Sequence, residues 1–418
     1  MGTGASFINK RKYTAVDESF LIPPERDFVL EVKVIEWPSI DKSPQFATPT
    51  GNFNLWDFDV WLLKPTDLPA LCSLIMLQYN IPSKFDIKFG KWCGLFKQVQ
   101  HNMSNPSNPY HNIVHLVDVL QTCAAFLGEF GASKLVNETD ILALFLAALV
   151  HDIGHPGLSN AYQVHAETPL ALRYNDISVL EHHHCALAFE MFQDSKSNIF
   201  LDVTPELRKS VRKSIINLVL STDMMTHFTL YEELNDCVAH HFYPLATIGQ
   251  MEAVVLPEKD RMIILRSLLH AADISNPAKI WSTSKKWSDL VVEEFFAQGD
   301  LEKLNQLPVS TNMDRNNSHQ DEISLSFSDF IVAPFFLTLL KALPRLGKAV
   351  KNLDSNRRQW TTVMQNRLST IPAARSDSEK EDFLGKLICL EDDFTARVES
   401  ALVVAEKKLI DKLPILTN

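Results

Sequence analysis

The chain has 418 residues, of which 46% are hydrophobic and 22% charged, with a formal net charge of −11. That is the balance of a soluble globular protein with an ample core, and an acidic chain without a long basic stripe excludes general nucleic-acid binding. Glycine is scarce at 13 residues, which argues against a turn-rich β architecture, and long amphipathic stretches predict an all-α fold.

At the N-terminus, "MGTGAS" fits the M-G-x-x-x-[ST] pattern for acylation at Gly2. Lys10, Arg11 and Lys12 follow, and a basic cluster is the usual second signal that lets one acyl chain hold to a membrane surface. The other reading is an ordinary start rich in small residues. Residues 1–55 carry Pro23, Pro24, Pro38, Pro44 and Pro49 and are expected to form a loosely structured extension, with "FVLEVKVIEW" as a short strand or an extended arm. Asp67 stands as the N-cap before the helix of "LPALCSLIMLQYNI". Further helices are expected at 86–102, 111–130, 138–151, 178–192, 205–221, 260–272, 284–298 and 325–350. "SNPSNPYHN" and "SKSNIFLDVTP" read as loops. A last helix near 390–412 has Leu390, Phe394, Val398, Leu402, Ala405 and Leu409 on one stripe, to be buried in the main body or against a second copy. No apolar run approaches the roughly 20 residues of a membrane span. The six cysteines (Cys72, Cys93, Cys123, Cys185, Cys237, Cys389) form no C-x-x-C pair, as expected of reduced thiols in the cytoplasm.

Imidazoles and carboxylates recur at the edges of apolar segments. "YHNIVH" places His111 and His115 four apart, on one helix face. "HDIGHPGLSN" adds His151, Asp152 and His155 directly after the apolar run "ILALFLAALV". "VLEHHH" adds Glu181 and His184, "STDMMTH" adds Thr222, Asp223 and His227, and "HAADISNP" adds His270 and Asp273. Buried ionisable groups are costly unless paired or bound to metal, so five helices could aim these groups at one pocket. Each alone is weak: His-x-x-x-His is common, an aspartate after an apolar helix is most often a cap, and His182 and His183 read as solvated. His101, His240, His241 and His319 have no supporting context. Together they fit a two-metal hydrolase, in which imidazole and carboxylate suit a zinc-like ion, carboxylate and water suit magnesium, and one bridging aspartate keeps the ions close for attack at phosphorus.

With these residues in place, the chain resembles the class I 3′,5′-cyclic nucleotide phosphodiesterases. The motif H-D-x-x-H-x-[AG]-x-x-N is complete from His151 through Gly157 to Asn160, and "YHNIVHLVDVLQT", "LALRYNDISVLEHHHC", "LSTDMMTHF", "LHAADISNPAK", "WSDLVVEEFFAQGDLE", "LPVSTNMDR" and "FSDFIVAPF" follow the family over about residues 60–365. The resemblance implies a compact multi-helix bundle of the HD-type metal hydrolase kind, with residues 56–385 as catalytic domain between the 1–55 extension and a 386–418 C-terminal helix. It implies that His115, His151, Asp152 and Asp273 ligate the tighter metal, usually Zn2+, and that Asp152 also reaches Mg2+ or Mn2+. His155, Glu181 and Thr222 would hold the waters of that second ion. His111 would be the general acid, Tyr110 and His184 would line the same wall, and Asn276 would face the base, which would stack between Phe327 and Val291.

One position departs from the family. Three residues before Phe327, where the family has a base-gripping glutamine, stands Ser324, with Gln320 one turn away. A serine hydroxyl is too short for a two-point amide contact. The expected activity is hydrolysis of a cyclic nucleotide, cAMP slightly favoured over cGMP, to the 5′-monophosphate. The rivals are an HD-type phosphohydrolase of another nucleotide and a cyclic-nucleotide-binding module with little turnover, against which the retained His111 and metal ligands argue.

Overall fold

A computed structural model describes residues 37, 53–242, 254–370 and 393–408, which are helical with no strand among them, and all of them fall in one compact unit, Glu36–Asn418. The first helices, α1 (Leu68–Gln78), α2 (Ile81–Lys84) and α3 (Phe89–Asn102), lead to the central pair α4 (Ile113–Leu127) and α5 (Glu138–Val150). The short α6 (Asn160–His165) and α7 (Pro169–Tyr174) precede α8 (Val179–Gln193), α9 (Pro205–Leu220), α10 (His227–Phe242) and α11 (Glu258–Asp273). The last third comprises α12 (Trp281–Leu304), α13 (Gln320–Phe327), α14 (Ala333–Ala342) and α15 (Gly347–Thr370), followed by helical residues 393–408.

Local chemistry sets many of the starts. Asn137 Oδ1 accepts from the Asp140 N–H at 2.9 Å and Asp140 Oδ2 accepts from the Asn137 N–H at 3.0 Å, a reciprocal cap that opens α5. Asn112 Oδ1 caps α4 by accepting from Val114 N at 2.9 Å, and Thr204 with Pro205 opens α9. Asp67 occupies the N-cap position of α1, yet its carboxylate bonds back to the Lys64 N–H at 3.2 Å and leaves α1 without a side-chain cap.

α5 explains the apolar run before His151. Every residue from Asp140 to Val150 is buried, as in a helix enclosed on all sides, and its neighbours are α4, α9 and α11. The core thus carries the C-terminal end of α5 to the middle of the molecule.

Other elements differ from their sequence expectation. The helix expected at 325–350 begins at Gln320, passes through a π-turn at Ser328–Val332 just before Pro334, and breaks at Pro344. Proline lacks the N–H and crowds the preceding turn, and both interruptions fall beside one. The continuous run Gln320–Ala342 is 23 residues and apolar enough by length and composition to cross a membrane, which corrects the expectation of no such stretch. Half of its most apolar window is buried inside the fold, and Arg357 donates to Asp329 on it at 2.7 and 2.9 Å, the setting of a core helix. α10 was not expected, because its buried stripe of Leu230, Leu234, Cys237 and Val238 is diluted by polar residues on the other faces.

At the two ends, Trp37, the last residue of "FVLEVKVIEW", donates to Ile87 O at 2.7 Å and packs on Phe89 and Trp92. The rest of that stretch lies outside the described residues, as do Gly2 and Cys389. Phe394, Val398, Leu402 and Ala405 bury in the main core, so of the two expected fates of the last helix the structure shows the first. The five described cysteines are free.

Candidate active site

His151 is the C-cap of α5, and the chain then turns through two left-handed glycines, Gly154 at φ 73° and Gly157 at φ 75°. A Cβ on Gly154 would stand 2.5 Å from Leu187 Cδ1, and one on Gly157 2.5 Å from Asn108 Oδ1. Only glycine permits both the backbone angle and that approach. Asn108 Nδ2 donates to His155 O at 2.6 Å and ties the turn to the start of α4.

The turn brings Asp152 beside His115 of α4 and Asp273, the last residue of α11. One ligand atom from each of His115, His151, Asp152 and Asp273 lies within 4.8 Å of the others. His115 Nε2 is 3.1 Å from Asp273 Oδ1 and 3.3 Å from Asp152 Oδ2. His151 Nε2 is 3.2 Å from Asp152 Oδ2 and 3.4 Å from Asp273 Oδ1. The His151 tautomer is set by its other nitrogen, since Nδ1 donates to Ala148 O at 3.0 Å. That leaves Nε2 fully buried, without a hydrogen-bond partner and aimed at carboxylate oxygens. Burial pulls both histidines toward the neutral form, but Asp152 and Asp273 outweigh it and raise both above the usual imidazole range. The same histidines outweigh burial at Asp152 and Asp273 and hold both below the usual carboxylate range. A divalent cation replaces the protons such a set would otherwise need, and two imidazoles with two carboxylates are suitable donors for one.

Around this cluster, His111 Nε2 is 3.9 Å from Asp152 Oδ2. Its Nδ1 hydrogen-bonds Glu294 Oε1, while Glu294 Oε2 accepts from the Tyr110 and His111 backbone N–H groups at 3.1 Å each. Desolvation lowers the His111 pKa, but Glu294, with Asp152 and Asp273, overcomes this and raises it to about 9. His155 stacks on His111 with centroids 3.8 Å apart; burial and then the His111 charge keep His155 neutral, well below the usual range. His184 donates from Nδ1 to Ile153 O at 2.7 Å and points Nε2 at Asp152 Oδ1, 3.8 Å away. Burial lowers its pKa to about 4. Glu181 accepts from Asn160 Nδ2 at 2.9 and 3.2 Å, and burial, then Asp223, raise it to about 7. Thr222 donates its hydroxyl to Val219 O at 2.8 Å, a bond within its own turn.

Tyr110 and Asn276 are joined: Asn276 Nδ2 donates to Tyr110 Oη at 2.6 Å, and the Tyr110 ring lies 4.8 Å from that of His115. The loop bearing Asn276 is clamped through its carbonyls, with Asn356 Nδ2 on Pro277 O and Lys279 O at 2.7 Å each and Trp56 Nε1 on Ala278 O at 2.9 Å. Val291 of α12 and Phe327 of α13 are both partly buried against the main core. Ser324 Oγ is 2.9 Å from Ser288 Oγ, and Gln320 is turned to Ser288 and Asp289.

Not every charged residue of the motifs joins this site. His227 and His270 bond each other at 2.8 Å against Phe335. Asp223 accepts from the Ser178 hydroxyl at 2.7 Å and caps a 3-10 turn. His241, expected to lack context, bonds Asp260 at 2.7 Å. Sequence reasoning also passed over Glu294 and Ser288. The available signal was the stripe Trp287, Val291, Glu294, Gln298 on α12, where a carboxylate shares the inward face.

The comparisons with known proteins agree with this geometry. A family model described as 3′5′-cyclic nucleotide phosphodiesterase matches residues 110–353. The chain is 34% identical over 310 residues to the 3′,5′-cyclic-nucleotide phosphodiesterase regA of Dictyostelium discoideum, covering 74% of this chain and 38% of that protein. It is 32% identical over 337 residues to the high affinity cGMP-specific 3′,5′-cyclic phosphodiesterase 9A of Homo sapiens, covering 80% and 52%. The crystal structure of the phosphodiesterase domain of the RhoPDE fusion protein from Salpingoeca rosetta superposes with a TM-score of 0.70 at 31% identity, covering 78% of this chain and 99% of that one. The chain spans about half or less of the length of these two curated relatives. It belongs to the 3′,5′-cyclic nucleotide phosphodiesterase family.

Proposed function

We propose that the chain hydrolyses a 3′,5′-cyclic nucleotide to the 5′-monophosphate, with cAMP slightly favoured over cGMP. The observation that carries this reading is the imidazole of His111, held through Nδ1 by Glu294 with its Nε2 set 3.9 Å from an oxygen of the four-residue cluster. His115, His151, Asp152 and Asp273 would hold Zn2+, and Asp152 would share Mg2+ or Mn2+ beside it. When bound, the ions supply Lewis-acid charge at the phosphate and an activated water. His111 Nε2 gives its proton to the departing 3′ oxygen as the P–O3′ bond breaks, and Glu294 keeps the ring oriented and cationic. His155, neutral and stacked on His111, keeps the ring in place from the other side. Asn276, with Nδ2 engaged by Tyr110, offers Oδ1 as an acceptor, which suits the amino group of adenine. The experiment is steady-state hydrolysis of cAMP and cGMP side by side, with a noncyclic nucleotide as control; turnover of the noncyclic phosphate alone would favour a different phosphohydrolase.

Base affinity rests on Ser324. Stacking between Phe327 and Val291 reads any aromatic ring, and directional hydrogen bonds do the discriminating. Wild type is expected to have a high KM. Ser324→Gln should lower KM roughly tenfold, the worth of about one polar anchor, with little change in kcat, as when ground-state binding is added. An already tight wild type would contradict this.

For location, we infer a cytoplasmic protein held at the membrane surface through acylated Gly2 and the basic cluster Lys10, Arg11 and Lys12. Gly2→Ala should move the protein from the membrane to the soluble fraction; equal solubility of both forms would overturn the inference.

A further inference from the structure

The facing ends of α10 and α11 carry a second group of metal-type donors, away from the cluster described above. Cys237 and His241 stand four apart on α10, on one helix face, and Asp260 lies in the first turn of α11. Cys237 Sγ, a ring nitrogen of His241 and a carboxylate oxygen of Asp260 all lie within 4.8 Å of one another. The two helices are fixed to each other along their length. His227 bonds His270 at 2.8 Å, Arg266 donates to Glu233 at 2.6 Å, and His241 bonds Asp260 at 2.7 Å. Arg261, next to Asp260, donates to Asp140 of α5 at 2.9 Å and to Leu256 O at 3.3 Å, which holds the start of α11. Asp260 and Asp273 stand near opposite ends of α11, about 20 Å apart along its axis.

A histidine in the last turn of one helix and an aspartate in the first turn of the next each suit the local helix dipole, and that accounts for the His241–Asp260 pair. It does not account for the sulfur beside them. Cys237 is 5% exposed, and burial, then Asp260, push its thiol up to about 11. At neutral pH it is therefore a protonated thiol and no nucleophile. We propose that Cys237, His241 and Asp260 form a further metal site, which takes a zinc-class divalent ion as a structural clamp between α10 and α11. Thiolate and imidazole select such an ion over magnesium or calcium. Zinc–ligand bonds of about 2.0–2.3 Å in a tetrahedron set neighbouring donors about 3.3–3.8 Å apart, so the set closes on the ion with shifts of about 1 Å. On binding, the Cys237 proton leaves to solvent and the thiolate takes its place on the metal with the His241 nitrogen and the Asp260 oxygen. His241 and Asp260 keep 15% and 24% of their side-chain surface exposed, which leaves water room to be the fourth ligand.

The test uses the full chain, stripped of metal by a chelator and titrated with Co2+, which occupies zinc sites and gives a thiolate-to-cobalt charge-transfer band in the near ultraviolet when sulfur is a ligand. The His115–His151–Asp152–Asp273 cluster has no sulfur donor, so the band reports the Cys237 site and not that one. Wild type is expected to show the band, and Zn2+ should displace it. Cys237→Ser, a change of nearly the same shape, should abolish the band and lower the Zn2+ content by one equivalent. His241→Ala and Asp260→Asn should weaken Zn2+ at this site by at least about 10- to 100-fold, as loss of even a ligand's outer partner does. Asp152→Ala, which loses metal from its own cluster, should keep the band, so this inference and the hydrolase reading fail separately. A wild type without the band, a band that survives in Cys237→Ser, or wild-type Zn2+ affinity in His241→Ala would overturn the inference.

Discussion

Asp152→Ala is expected to abolish turnover and to strip bound metal from the protein. Asp152 Oδ2 lies 3.3 Å from His115 Nε2, 3.2 Å from His151 Nε2 and 3.9 Å from His111 Nε2, so one side chain joins both imidazoles of the cluster to His111. Its removal leaves His115 and His151 facing Asp273 alone, with one negative charge where the set had two. A metal that polarises phosphate supplies several kcal/mol of transition-state stabilisation, so losing it costs on the order of a thousandfold or more in kcat. Asp273→Ala should act in the same direction. The check is metal content by elemental analysis alongside kcat; full activity in Asp152→Ala would remove the two-metal mechanism.

His111→Ala should lower kcat by roughly 10² to 10⁴ while the metal content stays at the wild-type level. Loss of metal instead would make His111 a ligand. The pH profile gives a second reading of the same residue. In the proposed role His111 would act in its protonated form, and its pKa is raised to about 9 despite burial, with Glu294 the largest of the raising causes. Activity attributable to this proton is therefore present below about 9 and lost as pH rises through it. Bound cations would oppose the Asp152 and Asp273 contributions but leave the Glu294 contact in place. Glu294→Gln removes that contact's charge, so the alkaline limb should move to lower pH and kcat at neutral pH should fall. An alkaline limb unchanged in Glu294→Gln would mean that another group titrates there.

The clustering of His115, His151, Asp152 and Asp273 was legible because these residues interrupt apolar segments. A buried helix such as α5 offers no solvent to an ionisable residue at its end, so His151 and Asp152 announce a partner before the partner is known. The start of α1 after Asp67 was legible for a similarly local reason, although the Asp67 carboxylate bonds back to the Lys64 N–H and does not cap the helix. Glu294 and Ser288 were not, because their roles exist only across contacts between distant segments: Glu294 bonds a histidine 183 residues away, and on α12 it reads as one of many acidic residues. Gln320 shows the same limit from the other side. Its proximity to Ser324 in sequence makes it a candidate for the base, and only the position of Asp289 on a neighbouring helix shows where its amide is engaged. The π-turn at Ser328–Val332 and the unanticipated α10 are tertiary outcomes of the same kind, in which packing decides what local pattern leaves open.

The central claim, that the His115–His151–Asp152–Asp273 cluster and His111 together open a cyclic phosphodiester, is tested most directly by identifying the product. Purified protein supplied with Zn2+ and Mg2+ should convert cAMP to the 5′-monophosphate, with the P–O3′ bond broken and the new oxygen on phosphorus drawn from solvent. Stripping the metals with a chelator should stop the reaction, and returning them should restore it. Release of the 3′-monophosphate, or turnover unaffected by metal removal, would contradict the account.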